Sequence, residues 1–144
     1  MNAAANAISG NANNNLFNFR LTSNSYVVFT NVNAINGLGG DDTITGTNVA
    51  NVINGGGGDD TIYGTSNDDV IYGGDGDDRL YGFAGNDSLY GGNGNDSLNG
   101  AAGNDNLYGE AGLDTLTSGA GTDYFVFSGD VANIDVVTDY TTSD

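Results

Sequence analysis

The side chains with the clearest chemical potential are aspartates that recur every nine residues between Gly37 and Val126. In blocks of nine, this stretch forms ten consecutive units without insertion or deletion, and the sixth position is acidic in nine of them. These acids are Asp42, Asp60, Asp69, Asp78, Asp87, Asp96, Asp105, Asp114 and Asp123, while Asn51 holds the remaining position. A regular array of carboxylates offers hard oxygen ligands, which suit a divalent cation.

The other positions of the unit predict the backbone that carries these acids. Positions one to six are rich in turn-forming Gly, Asn and Asp, and positions seven to nine form a short strand whose middle residue points inward. Position eight is a large apolar residue in all ten units. One unit cannot bury a single such side chain, but stacked units can join them into a continuous ladder. The pattern therefore predicts an all-β solenoid.

Two units in each coil would place every residue directly above its equivalent two units earlier. The acids then form two columns: Asp42, Asp60, Asp78, Asp96 and Asp114 in the first, and Asp69, Asp87, Asp105 and Asp123, preceded by Asn51, in the second. Parallel strands lie about 4.8 Å apart, a distance at which carboxylates repel one another. Cations between the coils, held also by backbone carbonyls of the turns, would relieve this repulsion. One ion in each fully acidic gap gives about seven ions.

The units resemble the calcium-binding nonapeptide of the RTX (repeats in toxin) family, G-G-x-G-x-D-x-U-x, where U is a large apolar residue. Residues 55–63, 73–81 and 91–99 match every fixed position, and most other units lack only the second Gly. The resemblance implies a right-handed parallel β-roll of the serralysin type, with calcium held between turns by the position-six Asp and by carbonyls of the glycine-rich loops. The corresponding loop glycines are Gly40, Gly58, Gly76, Gly85, Gly94, Gly103 and Gly112.

The repeat divides the chain into three expected parts. Residues 37–126 would form the calcium-binding roll. Residues 1–36 contain no acid and are expected to form an Asn-rich, metal-free cap of degenerate coils, although a disordered Asn-rich leader is the alternative. The nine-residue frame, carried back through this part, puts Asn6, Asn15, Asn24 and Asn33 at position six and Ile8, Phe17, Tyr26 and Ile35 at position eight. Residues 127–144 would form a C-terminal cap, because DYFVF and DVVTDY resemble the strands that close RTX arrays.

Composition excludes several classes of function. The chain has 19 acidic and two basic residues, a net charge of -17, which disfavours binding to nucleic acids and anionic membranes. No apolar run approaches the roughly 20 residues of a membrane span, and residues 1–15 do not form a conventional secretory signal peptide. The chain contains no His, Cys or Lys, so we expect no enzymatic activity. Paired acids such as Asp41 and Asp42 repeat without distinction, which argues against a glycosidase carboxylate pair.

We expect a secreted or cell-surface protein that folds when it meets extracellular calcium, with a structural or accessory role. Bacterial origin and type I secretion are implied by the resemblance alone. Two contexts remain open: the C-terminal secretion module of a larger enzyme or toxin, and a self-assembling subunit of a matrix, surface layer or filament. Outward-pointing tyrosines at position nine form either a stacked ladder or an aromatic platform for a glycan or another subunit: Tyr63, Tyr72, Tyr81, Tyr90 and Tyr108.

Overall fold

The computed structural model describes residues 8–9, 16–18, 26–27, 29–30, 33–127 and 135–140. All regular elements in these residues are β-strands. The described residues contain no helix that is long and apolar enough to cross a membrane. The strands are β1 (Ile8–Ser9), β2 (Leu16–Asn18), β3 (Tyr26–Val27), β4 (Phe29–Thr30), β5 (Ala34–Asn36), β6 (Thr43–Thr45), β7 (Val52–Gly57), β8 (Thr61–Tyr63), β9 (Val70–Asp75), β10 (Arg79–Ala84), β11 (Ser88–Asn93), β12 (Ser97–Ala102), β13 (Asn106–Ala111), β14 (Thr115–Ala120), β15 (Tyr124–Val126) and β16 (Val136–Val137).

The strands stack into two seven-stranded parallel sheets that form the walls of a solenoid. One sheet has the order β16-β14-β12-β10-β8-β6-β3 and the other β15-β13-β11-β9-β7-β5-β2, while β1 and β4 form a separate parallel pair. Successive strands of the roll thus alternate between the two walls. Leu80 pairs with Leu98, and Leu89 pairs with Leu107, so each residue pairs with its equivalent two units later. The predicted parallel β-roll with two nine-residue units in each coil is therefore confirmed.

The core is the column of position-eight side chains between the two sheets. Because successive strand residues point to opposite faces, each unit contributes one such side chain to the interior. The exposed fraction of each side chain from Ile53 to Leu116 in this column is 0%. Phe125 and Val137 pack against the C-terminal end of the column and are partly buried. Each fully buried Ile or Leu contributes about 1.5–3 kcal/mol relative to an exposed one, so the ladder stabilises the stack throughout its length.

The turns have a recurrent backbone conformation. Positions two and four both have positive φ in eight of the ten units. At position four this requires glycine: Gly103 has a φ of 142°, and a Cβ there would collide with the carbonyl of Gly85 in the preceding coil. Position two is less restrictive, because Phe83 and Glu110 adopt φ values of 76° and 71° there. Close stacking of the coils therefore selects glycine most strongly at position four.

The N-terminal strands follow the predicted frame only in part. Phe17 pairs with Ile35, as the two-unit spacing predicts. The frame is wrong at β3, where Val27 instead of Tyr26 pairs with Ile44, and at β1, where Ile8 pairs with Phe29. Gly10 is the only glycine before residue 37, so this part of the sequence lacks the regularly spaced turn formers that set the period of the roll. Three of the predicted position-six residues lie outside the described residues: Asn6, Asn15 and Asn24.

The C-terminal segment continues one wall after a longer connection. Val136 pairs with Thr115 and Val137 with Leu116, so β16 extends the sheet beyond β14. The chain between these paired strands is longer than the two units that separate paired strands elsewhere in the roll. The added strand places Val137 over the end of the apolar column, where it covers Leu116 from one side.

Candidate metal centre

The position-six carboxylates are buried in the walls of the roll. Each lies immediately before a strand, on the inner side of its turn, so that its side chain points between two coils. The exposed fraction of these side chains ranges from 0% at Asp60, Asp87 and Asp105 to 2% at Asp42 and Asp96. The predicted columns exist, because the strands that follow the acids pair in register with the strands two units away. Within the described part of the chain these buried carboxylates have no basic partner, so they need another source of stabilisation.

One oxygen of each carboxylate from Asp60 onward connects neighbouring coils. Oδ1 of Asp78 accepts a hydrogen bond of 2.7 Å from the backbone N–H of Asp60. The same bond recurs in the second column, where the N–H of Asp87 donates to Oδ1 of Asp105 at 2.8 Å. Each of these aspartates therefore caps the position-six amide of the preceding coil, an interaction that a neutral Asn could also make.

Among the residues that the structure describes, the second oxygen has no hydrogen-bond partner in eight of the nine position-six aspartates. Buried Oδ2 atoms without a donor belong to Asp42, Asp60, Asp78, Asp87, Asp96, Asp105, Asp114 and Asp123. A buried acceptor without a donor typically costs about 1–3 kcal/mol, and more when it carries charge. Repetition of this cost in one fold indicates that the oxygens serve a ligand.

These oxygens converge with main-chain carbonyls at position one. A Cβ built on Gly91 would clash with Oδ2 of Asp96 and would lie 2.7 Å from the carbonyl oxygen of Gly109 in the next coil. The same arrangement recurs at Gly100, where Oδ2 of Asp105 and the carbonyl oxygen of Ser118 are the neighbours. A buried carboxylate oxygen without a donor and a carbonyl oxygen that border the same space fit a cation, and glycine keeps that space open.

The donor set is that of a hard cation. Within the described residues, no three or more His, Cys, Asp or Glu side chains are grouped closely enough to hold a metal ion. Each ion would therefore be held by single carboxylates together with backbone carbonyl oxygens, and not by a cluster of acidic side chains. Zinc prefers nitrogen and sulfur ligands, whereas calcium accepts such mixed oxygen sets in flexible geometry. The residues present thus fit calcium.

Burial raises the pKa of the position-six carboxyls from Asp42 to Asp114. The pKa of Asp60, Asp87 and Asp96 is raised to about 7, chiefly by burial and also by the nearest acids in each column, against the lowering effect of a backbone hydrogen bond. The pKa of Asp78 is raised to about 6, mainly by burial and also by Asp59, Asp77 and Asp75. The raised pKa favours the protonated form of these buried carboxyls, and a divalent cation would compete with the protons.

Position five carries a second, exposed set of acceptors with a different role. Oδ1 of Asp77 accepts a hydrogen bond of 2.8 Å from the N–H of Asn95 in the next coil. Oδ1 of Asn86 accepts the same bond from the N–H of Asn104 at 2.9 Å. Because carboxylate and amide oxygens are interchangeable here, these residues serve as backbone caps and need no negative charge.

Two aspartates near the C-terminus continue the site and were missed by the sequence interpretation. Oδ1 of Asp135 accepts from the N–H of Asp114 at 3.2 Å, which gives the first column a further member. Asp139 accepts from the backbone N–H groups of Ser118 at 2.9 Å and Gly119 at 2.7 Å. Their spacing departs from the nine-residue frame, so the only available signal was the DVVTD pattern of acids on both sides of an apolar pair.

The glycines whose carbonyls were predicted to bind calcium occupy position four of the unit. Position-four glycines stack on one another: a Cβ on Gly94 would collide with the carbonyl of Gly76. The carbonyl that converges with Oδ2 belongs to position one of the following coil, as at Gly91 and Gly109. The space beside position one, which a Cβ would fill, is thus a separate requirement for glycine from the positive φ at position four. The sequence signal was the Gly, or in one case Ser118, that begins each unit.

The outward tyrosines form stacked ladders. The rings of Tyr72 and Tyr90 are 4.7 Å apart, and those of Tyr90 and Tyr108 are 4.4 Å apart, with interplanar angles of 15° and 10°. Tyr63 and Tyr81 stack at 5.1 Å on the other wall. The predicted ladder is confirmed. Because both faces of Tyr90 are covered by neighbouring rings, this ladder presents ring edges to solvent.

The fold and the site together define a class of protein, a parallel β-solenoid with columns of buried carboxylates between its coils. The family model described as the RTX calcium-binding nonapeptide repeat (4 copies) matches residues 36–67, 63–98 and 90–125. These matches cover more than half of the chain, and the chain belongs to this family of calcium-binding repeat proteins. No curated protein and no solved structure is significantly similar to it.

Proposed function

We propose that this chain is a structural calcium-binding module whose roll folds when calcium binds between its coils. The observation that carries the proposal is the set of eight buried Oδ2 atoms without hydrogen-bond donors. In an unfolded chain the same oxygens would be hydrated. Stacking of the coils removes this water and brings the carboxylates close together, so folding costs both desolvation and electrostatic repulsion. Calcium binding offsets both costs and is thereby coupled to folding.

The residues of the roll would hold the ion from two coils. At one representative step, Oδ2 of Asp96 and the carbonyl oxygen of Gly109 supply ligands from successive coils, and Oδ1 of Asp96 fixes the carboxylate by its bond to the N–H of Asp78 at 2.8 Å. Calcium supplies the positive charge that these oxygens otherwise lack. Equivalent carboxylate and carbonyl pairs begin at Asp42, Asp60, Asp78, Asp87 and Asp105. A pair also begins at Asp69, but its Oδ2 already accepts hydrogen bonds from Thr65.

Secretion would follow from the calcium requirement. At the low calcium concentration of a cytosol, the net charge of -17 and the two carboxylate columns would disfavour the stacked state. Extracellular calcium-binding modules have dissociation constants of about 10⁻⁴ to 10⁻³ M, so millimolar calcium outside the cell would saturate such sites. We infer that the chain crosses the membrane unfolded and folds in the extracellular medium or at the cell surface.

Calcium titration monitored by far-ultraviolet circular dichroism tests this function. We expect a cooperative change from coil to β-structure with calcium and a much weaker response to magnesium, which demands tight octahedral geometry. Gly91→Ala should weaken the calcium response because its Cβ would occupy the space beside Oδ2 of Asp96. Gly57→Ala is the matched control, since its Cβ would lie 4.0 Å from the nearest atom outside its chain neighbours. Equal folding in calcium and magnesium would contradict the proposal and indicate simple charge screening.

End-to-end assembly is a second candidate function, favoured by the surface at the C-terminal end. Tyr124, Phe127 and Tyr140 are 63%, 54% and 66% exposed there. They line a groove of about 300 Å³ together with Phe125 and Val137 at the end of the core. An apolar end of this kind could stack on another chain. Sedimentation velocity in calcium would support assembly if the sedimentation coefficient rose with concentration, and a constant monomer value would exclude it.

The calcium chemistry is the same in either biological context. In a larger secreted enzyme or toxin, the roll would act as the calcium-triggered folding segment at the C-terminus. In a matrix, surface layer or filament, it would be the repeating unit itself. In both cases the role proposed for these residues is structural, since the charged side chains of the roll recur without the distinct roles that a catalytic set requires.

A further inference from the structure

Two of the ten turns differ from the others in backbone conformation. Positions two and four have positive φ in eight units, but not in residues 46–54 or 64–72. These two units have Thr47 and Thr65 at position two and lack glycine at position four. A β-branched residue strongly disfavours positive φ. Threonine therefore selects a second class of turn, in which the amide and side chain of position two are directed differently.

In this second class of turn, the threonine at position two forms hydrogen bonds with the position-six side chain of the same unit. Oδ2 of Asp69 accepts hydrogen bonds from the backbone N–H of Thr65 at 2.8 Å and from its hydroxyl at 3.3 Å. Oδ1 of the same carboxylate accepts from the N–H of Asn51 at 2.7 Å. Asp69 is consequently the one position-six aspartate whose buried oxygens all have donors.

The neighbouring turn has the same design without a charge. The N–H of Thr47 donates to Oδ1 of Asn51 at 2.6 Å, and the side-chain amide of Asn51 donates to the hydroxyl of Thr47 at 3.1 Å. The two turns are adjacent in the second column, because Val52 pairs with Val70. One edge of the roll thus contains two consecutive turns that are closed by hydrogen bonds.

We propose that the turns of residues 46–51 and 64–69 close without calcium, with the threonine donors in the place of an ion. The proposal rests on calcium binding at the remaining turns. An oxygen that accepts two hydrogen bonds has used both lone pairs, and the donors direct positive dipoles toward the point where a cation would sit. Binding an ion at Asp69 would require both bonds to break.

This assignment changes the expected number of ions and their distribution. The first column retains four carboxylate-to-carbonyl steps, which begin at Asp42, Asp60, Asp78 and Asp96. The second column retains two, at Asp87 and Asp105, because the step at Asp69 is closed by Thr65. The roll would bind six ions instead of the seven that the column arithmetic predicts. In the second column, the turns of residues 46–51 and 64–69 would then close without calcium, and only the later turns would need it.

Counting the bound ions in two matched variants tests the inference. Equilibrium dialysis of the full chain against saturating calcium, followed by metal analysis, gives the number of ions per chain. Asp69→Asn should bind the same number as the wild type, because its amide oxygen can accept from Thr65 as Oδ1 of Asn51 accepts from Thr47. The variant loses the acceptor for the N–H of Asn51, which should lower stability without changing the number of ions. Asp87→Asn should bind at least one ion fewer. Loss of an ion from Asp69→Asn would overturn this inference alone, whereas a wild type that binds no calcium would overturn the proposed function.

A gain-of-site variant provides a test that does not depend on substitution of Asp69. Thr65→Gly combined with Asn67→Gly converts the turn to GGSGDD, which restores glycine at positions two and four. We expect this variant to bind one more ion than the wild type. Ser66→Gly lies between the two changes and should leave the number of ions unaltered. An unchanged number in the double variant would show that threonine does not exclude the ion and would overturn the inference.

Discussion

Asp78 and Asp96 occupy the same position in successive coils, and Oδ1 of Asp96 accepts a hydrogen bond of 2.8 Å from the backbone N–H of Asp78. Oδ2 of Asp96 is buried without a donor. A carboxylate of this kind thus has one oxygen for the fold and one for a ligand. This division explains how a chain with a net charge of -17 can be built as a stack of acidic turns.

Asp96→Asn should separate the two roles. The amide oxygen can still accept the bond from Asp78, but the charge that holds calcium is lost. We expect the calcium needed for half-maximal folding to rise, with a loss of about 2 kcal/mol, typical of a hydrogen-bonded charge. Circular dichroism during a calcium titration measures the midpoint. Asp77→Asn is the control, because Asn86 and Asn95 already fill the same exposed role, and its effect should stay within about 0.5 kcal/mol. Equal effects of the two substitutions would contradict the assignment.

Low pH should partly replace calcium in stabilising the folded roll. The folded pKa of Asp60, Asp87 and Asp96 is raised by burial to about 7, above the ordinary value of 3.8. A raised folded pKa gives a contribution to stability that is fully present below the unfolded pKa and is lost as the pH rises through the folded pKa. Calcium-depleted chain should therefore have more β-structure at about pH 5 than at about pH 8. Circular dichroism in calcium-free buffers measures this, and a metal-free chain that is more ordered at the higher pH would contradict it.

Leu89→Ala should destabilise the calcium-loaded roll. Leu89 is fully buried between Ile71 and Leu107 in the apolar column, and its truncation would leave a cavity that the rigid stack closes poorly. We expect a loss of about 2–5 kcal/mol in the free energy of unfolding. Urea denaturation in saturating calcium measures the loss. Leu113→Ala, at a side chain that is 57% exposed, should change the stability by less than about 0.5 kcal/mol.

Tyr90→Ala should weaken the roll from its outer face. The substitution removes the stacking of Tyr90 with both Tyr72 and Tyr108. Each aromatic pair contributes about 0.5–1.5 kcal/mol beyond its buried area, so we expect a loss of about 1–3 kcal/mol. Thermal unfolding in saturating calcium provides the measurement. Tyr90→Phe keeps the ring and should retain most of the stability. If Phe and Ala lowered the melting temperature equally, the hydroxyl and not the stack would be responsible.

The period of nine residues was sufficient to predict most of the fold. Position eight is apolar without exception, and the strands from β5 to β15 follow the same two-unit register. The interpretation was wrong at Tyr26 and Ile8, in a part of the sequence that lacks the regularly spaced glycines of the roll. Asp135 and Asp139 were missed because a connection longer than two units carries them back to the stack.

The sequence by itself determined the repeat, the apolar ladder, the two acidic columns and the membership of a calcium-binding family. These features follow from residue type and spacing, because the strand period and the tight turns constrain every unit locally. Only the tertiary structure decided which oxygen of each carboxylate is bonded and which lacks a donor. Asp69 and Asp87 hold the same position in the repeat, yet Thr65 supplies donors to Oδ2 of Asp69, whereas Oδ2 of Asp87 has no donor among the described residues. The difference arises from the backbone angles of position two and from the neighbouring coil, and neither is encoded in the position-six residue itself.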